Sequence, residues 1–196
     1  MFVTNVRVQT APAVEPVTLT EAKAHLRVDH TDEDTLITAL IPAARQLAEM
    51  HSRRAFVTRT LDASLDWWPC DDVIDLAYPP LASVTSITYI DDAGDTHTMS
   101  SDDYFVDTIS QPGRICLADD ANWPGATLRR RAAITIRYVC GYGLAAAVPE
   151  NYKAALLLLI GHLFENREAV VVGAGLSATA IPLAVDALLL SDRGSF

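Results

Sequence analysis

From Ala154 to Phe164 the chain reads Ala-Ala-Leu-Leu-Leu-Leu-Ile-Gly-His-Leu-Phe. Wound as a helix, this segment is apolar on every side except at His162. A helix on the rim of a small domain carries one apolar stripe and one polar face. This one needs cover all round, which points to a second copy or a partner. Upstream, residues 1 to 17 read as extended, because Pro12 and Pro16 oppose a helix. Thr18-Leu19-Thr20-Glu21 fits a capping box and predicts a short helix to about Arg27. Thr31-Asp32-Glu33-Asp34 opens a longer one, its acids suiting the positive end of the helix dipole. Leu36, Ile37, Leu40, Ile41, Ala44, Leu47 and Ala48 follow helical spacing. Pro42 is expected to kink that helix, and Arg53 and Arg54 fall near its C-terminal end.

The period then changes to two. From Val57 to Trp67, apolar Val57, Leu61, Ala63, Leu65 and Trp67 alternate with Thr58, Thr60, Asp62, Ser64 and Asp66. That is the pattern of a half-buried strand. Further strands are predicted at 73–77, 84–90, 96–99, 104–107, 114–117 and 133–139, with Asp92-Ala93-Gly94-Asp95 as a hairpin turn. Pro149 suits the first turn of the long helix. Beyond Glu168 the chain is apolar but irregular, with a last short helix over Leu183–Leu190. The fold class is therefore α+β. N-terminal helices and the long C-terminal helix form a helical core. Between them lies an antiparallel β-meander of six or seven strands, and an extended apolar arm ends the chain. The divisions are an N-terminal arm and helices at 1–56, a β-rich region at 57–140, the long helix at 141–168 and a docking arm at 169–196.

Composition narrows the partners. The chain has 196 residues, half of them hydrophobic, and a formal net charge of −10. DNA phosphates and anionic membranes repel such a chain unless its cations are gathered on one surface. Cys70, Cys116 and Cys140 are widely spaced and form no C-x-x-C, so buried free thiols are expected rather than disulfides or zinc. The N-terminus lacks a basic segment followed by a long apolar one, so no secretory leader is expected. The apolar run at 154–164 is too short to span a bilayer, and that at 169–190 is broken by Gly173, Gly175, Pro182 and Asp186.

The candidate chemistry is thin. Val170-Val171-Val172-Gly173-Ala174-Gly175-Leu176-Ser177-Ala178 matches a strand followed by G-x-G-x-x-A, the dinucleotide fingerprint. Pro182 interrupts the helix that the fingerprint requires, and no downstream strand follows. A small nucleotide-binding enzyme using Gly173–Ala178 is thus the weaker alternative. Asp91–Asp95 lacks the ligand pattern of a calcium loop. His162 and Glu165 share a helix face, but no second such pair exists, so a buried, hydrogen-bonded histidine is expected. Arg129-Arg130-Arg131, the only basic run, reads as meeting acidic neighbours across an interface. No cofactor, metal or catalytic residue is expected.

The ordered set of motifs resembles the head-to-tail connector (adaptor) proteins of long-tailed bacteriophages and gene transfer particles. The carrying segments are Pro16–Val28, Asp34–Arg45, Tyr78-Pro-Pro-Leu81, Val84–Asp91, Gly141-Tyr-Gly143, Pro149 and Glu165-Asn-Arg-Glu168. The resemblance implies a non-enzymatic virion protein of the neck, made in the host cytoplasm. It implies a homo-oligomeric ring, commonly of twelve subunits, beneath the portal protein. A stopper or tail terminator would bind the opposite face, and DNA would pass through the middle without specific binding. Subunit packing would fall on Leu157, Leu158, His162, Phe164 and Arg167. Portal docking would fall on Leu176, Ile181, Leu183, Val185, Leu188, Leu189, Leu190 and Phe196. Another neck component, a stopper or terminator itself, is the nearer alternative, but those are more purely β.

Overall fold

A computed structural model describes residues 5–166 and 183–190. The chain divides into two compact units, each made of two separate stretches of sequence.

The first unit joins Met1–Ala13 to Arg53–Tyr142, and its described elements are strands with one 3₁₀ turn at Ser101–Asp103. Its strands are β1 (Val6–Thr10), β2 (Arg59–Leu65), β3 (Val73–Asp75), β4 (Leu81–Ile90), β5 (Thr96–Thr98), β6 (Tyr104–Asp107), β7 (Arg114–Leu117) and β8 (Ile134–Cys140). They form two antiparallel sheets, ordered β1-β2-β8-β4-β5 and β3-β7-β6. The expected meander is corrected here. β8 lies between β2 and β4 and pairs along its whole length with both. Its register accounts for that central place. Ile134, Ile136, Tyr138 and Cys140 are buried on one face, with half-buried Thr135, Arg137 and Val139 between them. Trp67, expected to face inward, is 61 % exposed. The strand stops at Leu65, and the Asp66 carboxylate instead accepts from the Ala132 N–H and the Arg131 guanidinium.

The core of this unit gathers Leu61, Ala63 and Leu65 of β2, Ile87 of β4, the inward side chains of β8, and Ile74 and Ile115 of the smaller sheet. Gly141 closes it. At φ 114° a side chain is strained, and a Cβ there would stand 2.6 Å from the Val57 backbone. Of the cysteines, Cys140 is buried, Cys116 half-buried and Cys70 exposed, so Cys70 departs from the buried thiols expected.

The second unit joins Val14–Ser52 to Gly143–Phe196, and its described elements are helical. They are α1 (Leu19–Leu26), α2 (Asp34–Ser52), α3 (Glu150–Glu165) and α4 (Leu183–Leu190). The capping box forms: the Thr18 hydroxyl accepts from the Glu21 N–H at 3.2 Å, and the Glu21 carboxylate accepts from the Thr18 N–H at 2.7 Å. Arg27, left-handed at φ 55°, ends α1. α2 continues through Pro42 as one helix. The lost bond would have used the carbonyl of Thr38, a residue on the solvent side where water can replace it. α3 packs on α2, α1 and α4.

Candidate interaction surface

α3 buries Tyr152, Ala155, Leu156, Leu159 and Ile160 on one side, against its helical neighbours. The opposite side is left open. Ala154 is exposed, Leu158 is 38 % exposed, and Leu157, Leu163 and Phe164 are half-buried. Between Glu150 and Glu165 the only charge on this helix is Lys153, which pairs with Glu150 at 2.9 Å. His162 is half-buried rather than buried. Asn166 donates to its carbonyl at 2.8 Å and lies 3.3 Å from its ring Nδ1. Arg167 lies outside the described residues.

α4 sits on α3 and α2 through Val185 and Leu189, both buried. Two polar contacts fix its register. His51 Nε2 of α2 meets the Asp186 carboxylate at 2.6 Å, and the Asn151 side-chain amide donates to the Leu188 carbonyl at 3.2 Å. Leu183 is 88 % exposed, while Leu188 and Leu190 are half-buried. The portal-docking set is therefore divided. Val185 and Leu189 are covered by the chain's own helices, and Leu183 is open. Leu176, Ile181, Phe196 and the glycine fingerprint at 173–178 lie outside the described residues.

The same unit carries an open groove of about 550 Å³ between the start of α1, the middle of α2 and the 3₁₀ turn Ala145–Ala147. Val14, Val17, Leu19, Ile41 and Leu144 line it. A small-molecule site needs a few convergent polar groups in an apolar pocket. The carboxylate at this rim, Glu15, is already engaged, accepting from Arg45 Nε at 2.7 Å. The groove suits contact with protein better than recognition of a metabolite.

α2 buries Ile37, Ile41, Ala44 and Ala48 as its spacing predicts, but it departs from an ordinary surface helix in where two of its charges go, and sequence reasoning missed that. Its charged residues Arg45 and Glu49 are buried, at 5 % and 3 % exposure. Arg45 bonds Glu49 at 2.9 Å and holds Glu15 through two bonds at 2.7 and 3.2 Å. Its solvent side carries Thr35, Ala39, Ala43, Gln46, Leu47 and Met50, none of them charged. Leu47, expected in the core, is 39 % exposed, and Met50 is 64 % exposed. The spacing of those uncharged positions was visible in the sequence. Period alone assigns apolar residues inward and charges outward; here that holds for Ile37, Ile41, Ala44 and Ala48 and fails for Arg45, Glu49 and Leu47.

In the β unit two arginines of the basic run engage neighbours within the chain. Arg131 bonds Asp66 at 2.8 Å, and Arg129 donates to the Ala132 carbonyl. Arg54 is buried and donates to the Gln111 side chain at 2.7 Å and to the Tyr142 hydroxyl at 3.2 Å. It therefore serves the β unit rather than the end of the helix dipole. Burial, with the Asp107 carboxylate nearby, pushes the Cys116 thiol up, away from the thiolate that a nucleophile needs. Among the described residues no cluster of His, Cys, Asp and Glu is arranged to hold a metal ion. No described helix is long and apolar enough to cross a membrane.

Residues 16–81 match the model of the Phage gp6-like head-tail connector protein family. The matched stretch is about a third of the chain and runs from the entry to α1 through α2, β2 and β3 to the first residue of β4. Solved structures share the fold over nearly the whole chain. A chain in the neck of an empty GTA particle computed with C6 symmetry superposes with a TM-score of 0.81 at 23 % identity, covering 98 % of this chain and 97 % of that one. A chain of the virion of a native gene transfer agent particle gives 0.80 at 23 % identity, with 98 % and 97 % covered. A chain in the neck of a native GTA particle computed with C12 symmetry gives 0.71 at 25 % identity, with 97 % and 96 % covered. No curated protein sequence matches the chain.

Proposed function

We propose that this protein is a structural component of a virion neck: a head-to-tail adaptor that forms a ring beneath the portal and joins capsid to tail. The observation that carries the reading is the likeness, over almost the full length of both chains, to neck chains of gene transfer particles. The connector-family match over residues 16–81 supports it independently. The open side of α3 fits the same reading. Leu158 is open there, Leu157, His162 and Phe164 are half-buried beside it, and Arg167 follows them in sequence. A standard interface buries on the order of 1,600 Å², and many modest contacts around a closed ring become collectively durable.

The C-terminal arm is the proposed portal contact. Leu183 is open to a partner, Leu188 and Leu190 are partly so, and Leu176, Ile181 and Phe196 extend the apolar run. A stopper or tail terminator takes the opposite face, and no catalysis is assigned. DNA passes without specific binding. With a net charge of −10, an acid-lined channel would let phosphates slide rather than grip them. A ring reconstruction whose lumen is dominated by Arg and Lys would refute that part. The arm is tested by Leu183→Asp, at an open position of α4 that leaves Val185 and Leu189 packed in place. The variant is expected to fold, by circular dichroism, and to fail to join portal-bearing capsids to tails. Joining at the wild-type level would remove the arm from the docking role.

A further inference from the structure

We propose that the uncharged outer face of α2, from Thr35 to Met50, is a subunit-packing surface whose occupant is the open face of α3, around Ala154 and Leu158, of a second copy of this chain. The inference rests on the ring reading above and names the second surface that such a ring requires. A closed ring of identical subunits is built from heterologous contacts, in which one patch of a subunit meets a different patch of the next. The open side of α3 supplies one patch. A second and different patch must exist.

The outer face of α2 has the properties of that second patch. Burying a charged side chain is costly unless it is fully paired. Yet this helix turns Arg45 and Glu49 inward and keeps them with Glu15. Its outward positions are left to uncharged residues, Thr35, Thr38, Ala39, Ala43, Gln46, Leu47 and Met50. The cores of protein interfaces are depleted of charge in the same way.

Charge also selects the occupant. Copies of a chain at −10 repel one another, so self-contact is cheapest where the surface carries none of that charge. Both outer faces meet this condition. A basic partner would be drawn to the acidic surfaces instead. The area is consistent as well. Nineteen residues at about 1.5 Å rise make a strip about 28 Å long and about 10 Å wide. That is about a third of the ~800 Å² each partner gives to a standard interface, enough for its uncharged centre. Leu158, projecting from α3, can enter the grooves between side chains of a facing helix.

The test uses the full-length chain in producing cells, read as incorporation into tailed particles. Ala43→Glu and Leu47→Glu place a charge at exposed positions, so melting temperatures are expected to stay near wild type. Incorporation is expected to fall about tenfold or more, because the new carboxylate is buried unpaired at the contact. Thr96→Glu, on exposed β5, serves as the control and is expected to incorporate normally. In a Cys70→Ser background, Ala43→Cys together with Leu158→Cys is expected to give, on oxidation of particles, a covalent ladder beyond the dimer, and neither cysteine alone any product. Wild-type incorporation of both glutamate variants overturns the proposal. So does a dimer from Ala43→Cys alone, which would mean the face meets itself, or incorporated double variant that forms no ladder. Failure of the wild-type chain to enter particles would instead strike the neck reading, and this surface with it.

Discussion

Asp62 shows how one side chain can organise a sheet. It sits on β2 at 2 % exposure, where the alternating pattern placed a solvent-facing residue. Two arginines from the flanking strands reach it. Arg137 of β8 binds bidentately at 2.8 and 2.9 Å, and Arg7 of β1 adds one bond at 3.2 Å. Arg137 dominates, since it is 40 % exposed against 75 % for Arg7 and an exposed ion pair contributes little. The Arg137 hydrogen bonds, joined by that of Arg7, hold the Asp62 carboxyl below its ordinary range, against the opposing effect of burial. A lowered folded-state value means stabilisation that is complete above the unfolded value of about 3.9 and lost as pH falls through the folded one. Asp62→Asn is expected to cost about 1.5–3 kcal/mol at neutral pH, the range for hydrogen bonds to a charged group. In urea unfolding, the gap between wild type and variant should close progressively below about pH 4. A gap that stays constant from pH 7 to pH 2 would mean the carboxylate charge does not contribute. The sequence showed an acid on a strand and arginines elsewhere. It could not show that pairing order brings residues 7, 62 and 137 side by side.

Among elements, the helices were the most legible, because their signals are local. The Thr18–Glu21 box is complete within four residues, and the structure contains both of its reciprocal bonds. Thr18→Ala removes the acceptor for the Glu21 N–H and should destabilise the protein by about 1 kcal/mol. Thr18→Asp should restore most of that, as a melting series would record. The short helix at Leu183–Leu190 was likewise legible. Strand positions from β2 onward were read to within a few residues, while β1 was read only as extended chain, and the strands' arrangement was not read. A meander is the default when consecutive strands are joined by short turns. β8 instead returns after a long excursion to pair with β2 and β4, and β3, β6 and β7 pair among themselves. Hydrophobic period says which face of a strand is buried and nothing about which strand lies beside it. α2 is the converse case. Its existence and its apolar inward residues were plain from period, but the inward place of Arg45 depends on Glu15, thirty residues earlier, which gives that arginine a partner.

For the whole molecule, the dominant quantities are the net charge and the apolar surface left over. If subunits associate through uncharged helix faces while repelling through a charge of −10, added salt should strengthen association by screening the repulsion. Light scattering at increasing salt is expected to show larger assemblies, and dissociation at high salt would mean that ion pairs hold the subunits instead. The sequence by itself determined what is local or summed over the chain: the helices and their caps, the strand segments, the acidic balance, and an excess of apolar residues on α3. The ordered motifs, read together, also carried the resemblance to head-to-tail connectors, and the stretch from Pro16 to Leu81 is the part a family model matches. Only the tertiary structure decided which distant segments meet. Each unit is assembled from two stretches of chain separated by the other, so its pairings depend on contacts between residues far apart in sequence. Local propensity carries no record of such contacts. For that reason the buried Asp62, the inward Arg45 and Glu49, and the covered Val185 and Leu189 became visible only once the chain was folded.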